Sequence, residues 1–155
     1  MDLKFRVWAH ISKPVDEVFE AVVDPDQLSR YFTTGGAKGR METGAVLTWD
    51  FHDFPGAFQV QVIEVLPNEK IILEWDTAER PGDEEPAPQY RTTVTLTFEA
   101  VDDDRTRVEI TEQGWRDTQA ALDASYGNCM GWSQMLCALK MWTEHKINMR
   151  EGMYK

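Results

Sequence analysis

Cysteine is scarce in this chain of 155 residues. It occurs twice, at Cys129 and Cys137. On a helix, residues eight apart lie about 12 Å from each other along the axis, whereas a disulfide needs Cα atoms within about 7 Å. We therefore expect two free thiols, a reducing environment and a cytoplasmic location.

Long apolar stretches are lacking as well. No run approaches the ~20 apolar residues that a membrane-spanning helix needs. The alternating polar and apolar residues at the start, Met1–Arg6, do not form the apolar core of a secretory signal. The sequence thus predicts neither membrane insertion nor secretion.

Positively charged residues are also few. Lys and Arg number 16 against 27 Asp and Glu, which gives a net charge of −11. Nucleic acids and anionic membranes are polyanions, so an acidic surface of this kind disfavours both as partners.

The remaining composition is that of a folded globular chain. Hydrophobic residues make up 42% and charged residues 28%, which is outside the disordered range. The length suits one domain over residues 1–155, with enough buried surface for a core that needs no disulfides.

The periodicity of apolar residues changes once along the chain. Residues 3–11 alternate as a half-buried strand does, two short helices follow, and about six more strands run to residue 113. A shift in phase predicts a β-bulge near Val62, and Phe54–Gly56 is typical of a turn. From about Thr118 to Met149 the period is helical. This order predicts an α+β fold in which a strongly curved antiparallel sheet of about seven strands wraps around a long C-terminal helix.

A helix about 10 Å wide is too narrow to fill such a sheet, so large side chains or a cavity must occupy the remaining space. Several residues with large side chains lie on predicted inward faces of the strands and of the last helix: Trp49, Phe51, Trp75, Phe98, Trp132, Met135, Leu139 and Trp142. They either fill a core or line a cavity for an apolar ligand. Both interpretations remain open at this point.

Two further residues have alternative interpretations. The alternation of the last strand points Glu112 inward, where it would hold the polar end of a ligand; otherwise the strand ends early and leaves Glu112 at the rim, paired with an arginine. Trp115 follows Gly114 at the strand-to-helix junction. It lies either at the mouth of the cavity or as a cap over the start of the helix.

Catalytic and metal-binding patterns are weak. Asp50, His52 and Asp53 could bind a metal or act as acid and base. Asp50 and His52 alternate with Trp49 and Phe51, however, which indicates that they lie on the solvent face. The sequence contains no nucleophile elbow, phosphate loop or Cys-x-x-Cys pair. We expect no cofactor, no metal and no catalytic residue.

Several segments resemble a known family. They are Ile11–Phe19 (ISKPVDEVF), Glu64–Trp75 (EVLPNEKIILEW), Thr111–Trp115 (TEQGW), Gly131-Trp132 and Leu136–Lys140 (LCALK). They are similar to the START-like, or SRPBCC, superfamily and to its branch called activator of heat-shock-protein-90 ATPase homologue-like. The resemblance implies the helix-grip fold, in which a seven-stranded sheet grips a long helix around a hydrophobic pocket.

The leading functional hypothesis is the binding of a small hydrophobic or amphipathic molecule, such as a lipid, in that pocket, in a role that could be stress-related. The resemblance also implies two alternatives, a chaperone ATPase accessory protein and a cyclase- or aromatase-like enzyme. The enzyme would need inward acid–base groups, for which Glu112, Asp50, His52 and Tyr126 are the candidates. Residues 78–89 could gate the pocket, and Trp8, on the outer face of the first strand, could mark a homodimer contact.

Overall fold

Seven antiparallel strands form one curved sheet in the computed structural model, which describes residues 1–77, 79 and 89–155. The strands are β1 (Leu3–Ile11), β2 (Gly36–Lys38), β3 (Val46–Phe51), β4 (Phe54–Leu66), β5 (Lys70–Asp76), β6 (Arg91–Asp102) and β7 (Arg105–Trp115). Their order in the sheet is β1-β7-β6-β5-β4-β3-β2. The predicted α+β class and strand number are thereby confirmed. The predicted gate, residues 78–89, falls almost entirely outside the described residues.

Three helices accompany the sheet in these segments. Two short ones, α1 (Val15–Val23) and α2 (Pro25–Tyr31), follow β1, and the long α3 (Gln119–His145) follows β7. The Asp24 carboxylate caps α2 by accepting a hydrogen bond from the Asp26 backbone N–H at 2.9 Å. Thr118 caps α3 in the same way through the Ala121 N–H at 3.1 Å. None of the helices described has both the length and the apolarity that crossing a bilayer requires.

The pairing of β4 with its neighbours tests two predictions. Its register with β5 shifts between Val62 and Glu64, which confirms the bulge. The predicted turn at Phe54–Gly56 is wrong, because β4 already begins at Phe54 and the turn lies at His52 and Asp53. Proline is tolerated near the start of a strand, so Pro55 does not interrupt β4.

The long helix lies unevenly over the sheet. The backbone of α3 comes close to β1 and β7 but, within the described chain, stays farther from β3, β4 and β5. Five rings bridge the wider side in mutual contact, with centroids 5.0–6.5 Å apart. We call them the interior aromatic cluster: Phe32, Trp49, Phe51, Trp75 and Trp132. Large rings therefore occupy the space that a slender helix leaves under a curved sheet.

Candidate functional site

A buried carboxylate lies at one end of the interior aromatic cluster. Glu112 follows Val108 and Ile110 on the inward face of β7 and is 0% exposed. Its Oε1 accepts hydrogen bonds from Trp75 Nε1 at 2.8 Å and Thr92 Oγ1 at 2.7 Å. The Asn128 amide donates to both oxygens, at 3.0 and 3.2 Å, and Trp132 Nε1 donates to Oε2 at 3.2 Å.

Strand register and helical spacing assemble these donors. Trp75 on β5 is paired with Thr92 on β6, so the two stand side by side on the sheet. Asn128 and Trp132 are four residues apart on α3 and share one face of the helix. Glu112 thus joins three strands to α3 through side chains alone.

The carboxyl of Glu112 has hydrogen-bond donors but no ion-pair partner among the described residues. Burial raises the pKa of this carboxyl above the ordinary range, although the four hydrogen-bond donors oppose that rise. The interpretation that placed Glu112 at the rim beside an arginine is wrong, because the strand continues to Trp115. The protein's own donors largely occupy the roughly four lone-pair sites of the carboxylate.

Rings lead from the interior to the surface beside this carboxylate. Trp49 is 1% exposed and contacts Trp75 with centroids 5.9 Å apart. The half-buried Trp75 contacts the half-buried Phe58 at 5.8 Å, and Phe58 contacts Phe54 at 6.2 Å. Phe54 is 54% exposed. We call these four rings the aromatic track.

Comparison with protein families agrees with this architecture. The family model described as Activator of Hsp90 ATPase homolog 1-like protein matches residues 12–144. The chain belongs to this family. None of the curated protein sequences compared with it matches.

Several solved structures are similar to this chain over nearly its whole length. SSP2350 from Staphylococcus saprophyticus is 25% identical, with 96% of each chain covered and a TM-score of 0.74. MLL2253 from Mesorhizobium loti is 21% identical over 94% of this chain and 99% of its own, with a TM-score of 0.76. The Aha1 dimer from Colwellia psychrerythraea, solved in solution, is 19% identical over 92% and 97%, with a TM-score of 0.69. These likenesses support the helix-grip fold.

The predicted lining residues divide into those that lie together around Glu112 and those that lie elsewhere. The structure brings Trp49, Phe51, Trp75 and Trp132 together with Glu112. The remaining aromatic residues of the predicted lining make no ring contact with the interior aromatic cluster in the described part of the chain. They are Phe98, Trp115 and Trp142.

These other predicted residues have separate neighbours. Phe98 packs edge-on against Phe19 at 5.1 Å. The indole of Trp142 donates to Gln27 Oε1 at 3.1 Å. Met135 and Leu139 are buried in the main core, at 1% and 0% exposure.

Trp115 lies in a smaller core of its own. It packs with Leu3 and with Ala121 from the first turn of α3. This position corresponds to the cap over the helix start. It does not correspond to a cavity mouth.

Sequence reasoning missed four residues of the site. Phe32 lies on the apolar side of a short helix, and Phe58 shares the parity of the buried Val60 and Val62 on β4, so the pattern marks both as inward but not as members of this site. Thr92 and Asn128 carried a similar signal. Thr92 shares the inward parity of Val94 and Leu96 on β6, and Asn128 shares the face of Trp132 on α3.

The proposed acid–base groups do not meet in the interior. His52 is exposed, Asp50 is half-buried on the face opposite Trp49, and Tyr126 is 64% exposed. Of these and Glu112, Glu112 alone is buried. Among the residues described, no group of three or more His, Cys, Asp or Glu side chains is placed to hold a metal ion.

A separate groove of about 620 Å³ lies between α1, the segment before β3 and the β4–β5 hairpin. Buried apolar residues, including Phe19 and Met41, form part of its floor. None of the predicted lining residues lies in its walls. A test of ligand binding must therefore distinguish this groove from the aromatic track.

Proposed function

We propose that the protein binds a small hydrophobic or amphipathic molecule along the aromatic track, between the curved sheet and α3. The observation that carries the proposal is the continuous contact of rings from the buried Trp49 through Trp75 and Phe58 to the exposed Phe54. Such a series offers an apolar ligand a surface that begins in solvent and ends in the core. Membership of a family with a ligand-binding kind of fold supports it.

Glu112 contributes to binding by holding two tryptophan rings in a fixed orientation. Its carboxylate holds the indoles of Trp75 and Trp132 at 2.8 and 3.2 Å, so both rings are oriented before a ligand arrives. A surface that is already ordered loses less conformational entropy on binding. Because the lone pairs of Glu112 are largely taken, we assign it a positioning role and no direct contact with the polar end of a ligand.

An unpaired donor indicates where a polar atom of the ligand would lie. Trp49 Nε1 is buried and, in the part of the chain described, has no hydrogen-bond partner. Buried N–H groups without partners are rare, since each forfeits its hydrogen bond to water. A ligand with an acceptor atom at its inner end would satisfy this group, which is why the proposal includes amphipathic molecules.

The test compares two truncations of exposed or half-exposed apolar side chains. Phe58→Ala removes one ring of the aromatic track, and Val46→Ala shortens a 53% exposed side chain on β3 outside the track. The probe is N-phenyl-1-naphthylamine, an uncharged dye whose fluorescence rises in apolar surroundings. We expect Phe58→Ala to weaken dye binding about five- to tenfold, as loss of one contact ring of roughly 1–1.5 kcal/mol predicts, and Val46→Ala to leave it unchanged. Equal affinity in both variants would contradict the proposal.

A further inference from the structure

Arg150 is a buried cation in the segment that follows α3. It is 3% exposed. Its Nη1 donates to the Phe32 carbonyl at 2.7 Å. The guanidinium carbon lies 4.8 Å from the ring centroid of Tyr154, and 5.6 and 5.8 Å from those of Phe32 and Phe51. Arg150 therefore borders the end of the interior aromatic cluster formed by Phe32 and Phe51, whereas Glu112 binds Trp75 and Trp132.

The charge of Arg150 has no anionic partner in the described residues. It makes no ion pair there, and its Nε lacks a hydrogen-bond acceptor. Removing a cation from water costs several kcal/mol unless an opposite charge and hydrogen bonds compensate. Ring faces and one carbonyl oxygen supply only part of that compensation.

A small cavity adjoins this side chain. Its volume is about 140 Å³, and its walls include Ser29, Thr34, His52, Asn148 and Arg150. Since one water occupies about 30 Å³ in the liquid, the cavity admits a group of a few heavy atoms. Glu151 also lines it, but this residue is exposed and makes no ion pair among the residues described.

Two polar groups of the wall keep a hydrogen-bond donor free, whereas the Ser29 hydroxyl already donates to the Pro25 carbonyl at 2.7 Å. Thr34 Oγ1 accepts from the His52 backbone N–H at 2.8 Å, which leaves the hydroxyl proton available. Asn148 Oδ1 accepts from the Arg150 backbone N–H at 3.1 Å, which leaves its amide N–H groups available. Together with the guanidinium, they suit an acceptor-rich anion.

We propose that this cavity is a binding site for a small oxyanion, a carboxylate or a phosphate group, with Arg150 as its charge partner. The site is distinct from the aromatic track and takes a different class of ligand. Its test therefore gives a result that does not depend on the binding of apolar molecules.

The test is an NMR titration of the ¹⁵N-labelled protein with sodium phosphate and, separately, with sodium acetate. Sodium chloride keeps the ionic strength constant. We expect at least one of the two anions to produce saturable shifts of the Arg150 Nε–H and Asn148 side-chain amide signals. Saturation by phosphate alone would assign a phosphate-bearing ligand, and saturation by acetate alone a carboxylate. The proposal is overturned if neither anion gives a saturable shift at these signals.

Two variants provide the matched comparison. Arg150→Lys keeps the charge but loses the planar guanidinium, so we expect the anion dissociation constant to rise about tenfold or more. Arg105→Lys changes an exposed arginine that pairs with Asp102, and should leave the constant unchanged. Equal constants in wild type and Arg150→Lys would overturn the assignment. The wild-type titration decides the question by itself if Arg150→Lys fails to fold.

Discussion

The indole Nε1 of Trp75 lies 2.8 Å from Oε1 of Glu112, although the two residues are 37 positions apart in the chain. The same carboxylate accepts from Trp132 on α3 at 3.2 Å. It therefore connects α3 and the neighbouring strand β7 to Trp75 on β5, where the backbones of helix and sheet are farther apart. The orientation of the Trp75 and Trp132 rings therefore depends on this buried acid.

The first prediction concerns the pH dependence of stability. Burial raises the folded pKa of Glu112 above its unfolded value, so the native state binds the proton more tightly. Its contribution to stability is then complete below about pH 4.3, the ordinary value for glutamate, and is lost as the pH rises through the folded pKa. Glu112→Gln has no such proton. We expect the excess stability of the wild type over this variant, roughly 1–3 kcal/mol in acid, to shrink as the pH rises.

Urea unfolding of both proteins between pH 4 and pH 8 measures this difference. All other titrating groups are common to the two chains and cancel in the comparison. A difference that grows with pH would show that the folded pKa of Glu112 is lowered, against our account.

The second prediction compares two tryptophans of α3. Trp132→Phe removes a donor to the buried carboxylate, whereas Trp142→Phe removes a donor to the half-buried Gln27. Hydrogen bonds to charged groups contribute about 1.5–3 kcal/mol and neutral ones about 0.5–1.5. We expect Trp132→Phe to lower the free energy of unfolding by at least about 1 kcal/mol more than Trp142→Phe. Equal urea midpoints would argue against a structural role of the Glu112 hydrogen bonds.

The third prediction places a second acid beside Glu112. Asn128 Nδ2 lies 3.0 Å from Oε1, so Asn128→Asp brings two carboxyl groups into contact. Two carboxylates this close cannot both ionise without a large penalty. We expect this variant to be least stable above neutral pH and to recover in acid, whereas Asn128→Ala loses stability with little such recovery. Thermal unfolding of the two variants at pH 5 and pH 8 provides the comparison.

The fourth prediction contrasts two glycines. Gly114 on β7 has φ +97°, a conformation that side chains rarely adopt, while Gly127 lies in α3 with nothing within 4 Å of an added Cβ. We expect Gly114→Ala to destabilise the protein by about 1–3 kcal/mol. Gly127→Ala should stabilise it by up to about 1 kcal/mol, because alanine favours helix. Thermal melts of both variants check the opposite signs.

Local patterns in the sequence predicted more of the fold than of the site. Alternation on β7 pointed Glu112 inward, and the phase shift on β4 located the bulge at Val62. Both features follow from one strand alone.

The partners of Glu112 were not predicted, because they depend on the register between strands and on the height of α3 over the sheet. Helical spacing placed Trp132 and Trp142 on one face. Spacing alone could not show that Trp132 donates to Glu112, whereas Trp142, ten residues later, donates to Gln27.

The most direct test of the central claim, binding along the aromatic track, is a titration of the ¹⁵N-labelled protein with N-phenyl-1-naphthylamine. The chain has six tryptophans, and each indole N–H gives its own NMR signal. Our account predicts saturable shifts for Trp49 and Trp75, the two tryptophans of the track, with the half-exposed Trp8 unaffected. Shifts confined to the backbone amides of Met41 and Val65, which line the groove beside α1, with Trp75 unchanged, would contradict it.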